Sequence, residues 1–286
     1  MNYKTLWLIL RQTFSNWNEH EAPRQGAALA FYTILSMAPL VILVTAMLAM
    51  IFGHSTAETE LLSQVEGLVG HQGSDAVKAV IEQAQKPSSG ALASVFGLLT
   101  LLFGASGVFI ELRFALDTIW DVGSADDSGI WAMVQERFAS FGMVLAVGFL
   151  LLVSLLISAA LAALGKFYGR FLTIPEHLLS AINIVVSLVS IAALFALIFK
   201  YVPRAKIPWR ECRIGATITA VLFTIGKFAI GLYLGKATIG SAYGAAGSLV
   251  VLIIWVYYSA MIFLFGAEFT HILGARTRPS ATKDLA

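Results

Sequence analysis

Cysteine is almost missing: Cys212 is the single thiol in 286 residues. One thiol excludes an intramolecular disulfide and a thiolate-held metal. Charge is nearly as scarce, at 13% Asp, Glu, Lys and Arg, about half the share of an ordinary soluble domain. A net charge of +2 is too small for a nucleic-acid partner, which demands a concentrated basic face. The five histidines (His20, His54, His71, His177, His271) include no pair at metal-binding spacing. There is no Walker-type phosphate loop, no His-Glu-x-x-His helix and no nucleophile elbow. A metal-dependent nuclease needs several carboxylates or histidines converging on its cations. The acidic pair Asp126–Asp127 has no histidine beside it. The sequence therefore predicts no enzyme, no metal and no cofactor.

Apolar residues are what the chain has in quantity. They make up 58% of it, with 19 Phe, and mean hydropathy is +0.81. A water-soluble globule of this size needs more polar surface than remains. Disordered, collagen-like and coiled-coil chains need polar, repetitive or heptad-rich sequence, so those classes are excluded too. Near the N-terminus, the apolar stretch Leu6–Leu10 is cut short by Arg11 and falls below the length of a signal-peptide core. The predicted fold class is all-α, a polytopic membrane protein.

A helix crosses the hydrocarbon layer with about 20 mainly apolar residues. Six stretches meet that length: 28–52, 91–116, 138–165, 178–199, 214–235 and 242–267. They predict one membrane domain over residues 1–275 and a flexible tail over 276–286. Lys and Arg mark the cytoplasmic side. With six spans, thirteen of them fall on the side of the two termini and five on the other, with Lys227 inside a span. Both termini are thus expected in the cytoplasm, and Lys200, Arg204, Lys206, Arg210 and Arg213 form the strongest basic anchor.

The outer segment 53–90 is acidic, and Leu61, Val65 and Leu68, then Val77, Val80 and Ile81, recur at helical spacing. Two amphipathic helices are expected there, on the interface or capping the bundle. Leu6, Leu10, Phe14 and Trp17 line one face of an N-terminal helix with Lys4 and Arg11, which suits an interfacial helix.

Few residues offer chemistry. Lys227 lies deep in the fifth span, where an ammonium costs a few kcal/mol on insertion scales. It either holds an anionic headgroup or substrate, or snorkels outward along its four-carbon stem. Glu111, Arg113 and Glu268 arrive at the same membrane boundary. Arg113 is expected to pair with Glu268, with Arg24 competing, as a gate or as a static clasp. Pro39 removes the amide that would bond the Leu35 carbonyl, so a kink is expected, with Thr33 and Ser36 covering the freed backbone. Gly231, Gly235, Gly240 and Gly244 are close-packing or hinge positions. Expected partners are membrane lipids, a protein docked through 53–90 and a second copy of the chain, with no nucleic acid.

Three stretches carry a family resemblance. They are Gly26–Leu40 (GAALAFYTILSMAPL), Phe103–Val122 (FGASGVFIELRFALDTIWDV), and Tyr201–Arg210 (YVPRAKIPWR) followed by Tyr243–Thr270 (YGAAGSLVVLIIWVYYSAMIFLFGAEFT). The sequence resembles the YihY/BrkB family of bacterial inner-membrane proteins, historically labelled ribonuclease BN, in which an Asn usually stands at Asp117. The resemblance implies six transmembrane helices with both termini cytoplasmic. It links the chain to serum resistance and to envelope or lipopolysaccharide export, and it implies that the nuclease label is a misassignment. Two functions follow as expectations: transport or flipping of an anionic, lipidic envelope component, or a non-transporting scaffold for envelope biogenesis that docks a periplasmic envelope protein through 53–90.

Overall fold

A computed structural model describes residues 3–53, 58–59, 61–63, 65–66, 71–85, 107–123, 176–236, 243 and 246–277. Every regular element among them is helical. They are α1 (Tyr3–Glu19), α2 (Ala22–Phe52), α3 (His71–Gln85), α4 (residues 107–119), α5 (Glu176–Tyr201), α6 (Trp209–Lys236) and α7 (Gly247–Thr277). Among the described residues, three helices are long and apolar enough to cross a membrane: Ile184–Tyr201, Trp209–Tyr233 and Gly247–Arg276. The expected span 138–165, most of 91–116, and Gly240 and Gly244 lie outside the described residues.

Helix ends depart from the apolar runs. The fifth span was expected to begin at Ile214, yet α6 begins at Trp209, so Arg210 and Arg213 occupy its first turns rather than a connecting loop. The last was expected to end at Ala267, yet α7 continues to Thr277 through Glu268, His271 and Arg276. Hydropathy marks where a helix is apolar, whereas backbone hydrogen bonding decides where it stops. The α1–α2 corner is made by Glu21, which takes a left-handed conformation (φ 51°), with Pro23 in the first turn of α2 where its missing N–H costs nothing. Gln25 Nε2 donates to the His20 carbonyl at 2.9 Å and closes the corner. Gly53 ends α2 with φ 81°, and its amide donates to the Ala49 carbonyl. A side chain there would be strained, which explains the glycine.

The chain forms two compact units. Unit one comprises residues 1–15, 116–224 and 266–286. Its centre is the C-terminal part of α7, where Ala267, Glu268, Phe269, Thr270, Ile272 and Leu273 are all buried. Glu268 and Thr270 are the polar side chains enclosed in this stretch. Ile9 of α1 packs on Phe269, Ile272 and Leu273, with Leu10 and Ile218 beside it. The buried face of α1 is thus Ile9 and Thr13, whereas Leu6 and Phe14, expected to share a face with Trp17, are exposed. A run of rings, Phe223, Phe195, Phe199, Trp120 and His271, links α6, α5 and α7 at centroid distances of 5.7–6.3 Å.

Unit two comprises residues 16–115 and 225–265. Ala30 of α2 packs on Leu252 and Val256 of α7, flanked by Ile34, Met37, Trp255 and Tyr257. α3 is docked on α2: Val77 and Ile81 bury against Val41, joined by Leu61, Leu62 and Val65. Ser74 adds a hydrogen bond to the Leu62 carbonyl at 3.2 Å. Pro39 lies inside α2, which is helical on both sides of it. Ser36 donates to the Thr33 carbonyl at 3.0 Å, two residues before the Leu35 carbonyl that Pro39 leaves without its amide.

Candidate functional site

In unit one the polar side chains gather where α5, α6 and α7 end or begin. Lys200, at the end of α5, donates from Nζ to the Ile207 carbonyl at 2.6 Å and lies 5.9 Å from the Trp209 ring centroid. Asp117 accepts the Arg204 amide at 2.8 Å on Oδ1, and its Oδ2 is 3.7 Å from Arg204 Nε. These bonds fold the connector between α5 and α6. The expected basic anchor therefore divides: Lys200 and Arg204 are tied to carbonyl and carboxylate oxygens, while Lys206, Arg210 and Arg213 are exposed. Asp117 supplies an acceptor to a main-chain amide, a task an Asn oxygen performs equally well.

Two Gly-x-x-x-Thr motifs face one another in unit one. A Cβ at Gly215 of α6 would overlap Thr270 of α7, and one at Gly266 of α7 would overlap Thr219 of α6. Each threonine donates to the carbonyl of the glycine four residues before it, both at 2.7 Å. One turn further, Gly274 lies against the Glu211 carboxylate. The residue numbers run in opposite directions, so α6 and α7 are antiparallel and their backbones come unusually close, as small residues permit where lipid supplies no hydrophobic drive. Sequence reasoning noted other glycines and missed this seam, although GATIT and GAEFT display the same spacing. Glu268, on the same stretch of α7, is fully buried.

Unit two holds Lys227, Glu111, Arg113 and Arg24. Arg24 is exposed, pairs with Glu21 at 2.6 Å, and exerts its charge on the Glu111 carboxylate. Arg113 is half-buried in unit two, whereas Glu268 belongs to unit one. Lys227 is half-buried on α6, its Nζ 5.6 Å from the ring centroid of exposed Phe228. Its neighbour Gly226 packs against Tyr258 and Ile262 of α7, so Lys227 stands at the flank of the packed face. Among the described residues no carboxylate lies within ion-pair distance of its ammonium. One turn on, Gly231 has open space where a side chain would be. Elsewhere in unit two, Gly26 rests on Met261 and Tyr257, Gly107 rests on the Tyr32 ring, and Trp17 Nε1 donates to the Met261 carbonyl at 3.3 Å. Gly235 lies within α6.

The family profile described as Virulence factor BrkB matches residues 13–285. A ribonuclease-like protein, YfkH of Bacillus subtilis, is 24% identical over 94% of this chain and 96% of its own length. A UPF0761 membrane protein of Ralstonia nicotianae is 25% identical over 93% of this chain. UPF0761 membrane protein YihY of Salmonella typhimurium is 32% identical over 60% of this chain. The match spans 58% of each of these last two relatives. No solved structure matches the chain.

Proposed function

Because the chain belongs to the BrkB family of membrane proteins, we propose that it moves an anionic, lipidic component of the bacterial envelope across the inner membrane. On this reading six helices cross the bilayer, both termini are cytoplasmic, and α1 lies on the interface. One observation carries it: a lysine ammonium in a helix of membrane-spanning length, with no carboxylate partner among the described residues. An intramembrane cation is costly and marks a substrate path by default.

The flank position suits entry from the lipid. Lys227 attracts a phosphate, exposed Phe228 contacts the acyl region, and the bare helix surface at Gly231 leaves a headgroup unobstructed. Docking of α3 on α2 through Val41, Val77 and Ile81 gives an outer cap held by a small apolar contact. Such a contact can part as a lipid passes. Arg24 and Glu111 form the inner charged boundary of the same unit.

The test is reconstitution in liposomes with a fluorescent phosphatidylglycerol and dithionite quenching. Quenching beyond the outer-leaflet fraction, above empty vesicles, is the expected result. Rates equal to empty vesicles across anionic lipid classes remove the proposal.

A further inference from the structure

The first turns of α6 carry a feature that the transport reading does not use. Arg210, Arg213, Ile214, Thr217 and Ile218 line a shallow groove of about 410 Å³ in unit one. Both guanidinium groups are exposed, and among the described residues neither pairs with a carboxylate. The one acid of this turn, Glu211, is buried with its carboxylate against Gly274 of α7, so it is turned away from the groove. The Thr217 hydroxyl donates to the Arg213 carbonyl at 2.8 Å, which leaves its oxygen lone pairs outward and the two arginines as the groove's cationic donors. Below them the wall is apolar, with Ile214 and then Val221 exposed along the same helix.

Depth is set by the neighbours. α6 enters its membrane-length stretch at Trp209. Exposed Trp209 packs edge-to-face on exposed Tyr201 at 6.0 Å, the amphipathic ring pair found at a membrane–water boundary. Two arginines above an apolar wall at that boundary match a phosphodiester over acyl chains. Arginine presents a planar fork that holds two phosphate oxygens at once.

We propose that this groove binds the phosphate headgroup of an anionic phospholipid at the membrane boundary. The site lies wholly in unit one and needs neither Lys227 nor any lipid movement, so it stands or falls separately from the transport reading.

The experiment uses the full chain in zwitterionic bicelles titrated with phosphatidylglycerol, with binding read from the rise in melting temperature. Each arginine near an anionic surface contributes about fivefold in affinity and the two together about 25-fold. Arg210→Gln with Arg213→Gln therefore shifts the titration midpoint about 25-fold, and each single change about fivefold. Arg210→Lys with Arg213→Lys keeps the charges and stays within about fivefold of the parent, which guards against a loss caused by misfolding. Inorganic phosphate at the same concentrations produces no shift, since it lacks the acyl contact. An unchanged midpoint in the double glutamine variant overturns the proposal. So does a lysine variant that loses as much as the glutamine one, or a shift with phosphate alone equal to that with lipid.

Discussion

Substituting Gly266 by alanine tests the close approach of α6 and α7 with an internal control. In a helix that touches nothing, Gly→Ala gains up to about 1 kcal/mol from propensity. At Gly266 the new methyl overlaps the hydroxyl, methyl and Cβ of Thr219. That threonine cannot swing aside without breaking its bond to the Gly215 carbonyl, which within a membrane is worth about 0.6 kcal/mol. Overpacking of this kind costs about 1–3 kcal/mol, so the net change is destabilising by about 1–2 kcal/mol. Gly231→Ala on α6 meets no described residue within 4 Å and is neutral to slightly stabilising. Thr219→Ala removes the hydroxyl and methyl but leaves a Cβ, 2.8 Å from where the new methyl would be. The double substitution is therefore less damaging than the sum of the singles, with a coupling of about 1 kcal/mol against the 0.3–0.5 kcal/mol scatter of independent sites. Cys212 supplies the assay, because it is the single thiol and fully buried on α6. A thiol-reactive fluorophore lights up only as the fold opens on heating. If Gly266→Ala melts at or above the parent, as Gly231→Ala should, or if the double substitution is additive, the reasoning is refuted.

Further expectations follow from single contacts. Asp117→Asn keeps the acceptor for the Arg204 amide and costs under about 1 kcal/mol, while Asp117→Ala strands that amide and costs about 1–3 kcal/mol; the same thiol assay ranks the two. Glu21→Gly relieves a left-handed residue worth about 1 kcal/mol and gives up only an exposed pair with Arg24, so it raises the melting temperature. Ile9→Ala empties a site buried against Phe269, Ile272 and Leu273, costs about 2–4 kcal/mol, and frees α1 to limited proteolysis between residues 15 and 22.

The sequence made the broad class legible because hydropathy is a bulk property. The α5 and α6 cores could be read from uncharged runs, but the helix ends could not. Glu268, His271 and Arg276 look like loop residues by hydropathy, yet they sit in α7 because backbone hydrogen bonding continues beneath them. Likewise, the clustering of basic residues over 200–213 was visible and their different surroundings were not. Which lysine finds a carbonyl, as Lys200 does, and which arginine faces a groove depends on tertiary placement. The α6–α7 seam was available as a repeated Gly-x-x-x-Thr spacing. Only the pairing of the two motifs identifies it as a contact, and one sequence does not display pairing. The strings that carry the family resemblance acquire reasons in the fold. Gly26 and Gly226 make room for Tyr257 and Tyr258, and Asp117 ties down the Arg204 turn.

The most direct test of a cation-guided lipid path compares two labelled lipids in the same vesicles. The ratio of phosphatidylglycerol to phosphatidylcholine translocation is measured for the parent, for Lys227→Arg and for Lys227→Gln. A lysine charge near an anionic lipid is worth about 1 kcal/mol, or about fivefold. The parent and the arginine variant should favour the anionic lipid by about that factor, and the glutamine variant should approach unity. A ratio that is the same in all three contradicts a role for Lys227 in the path.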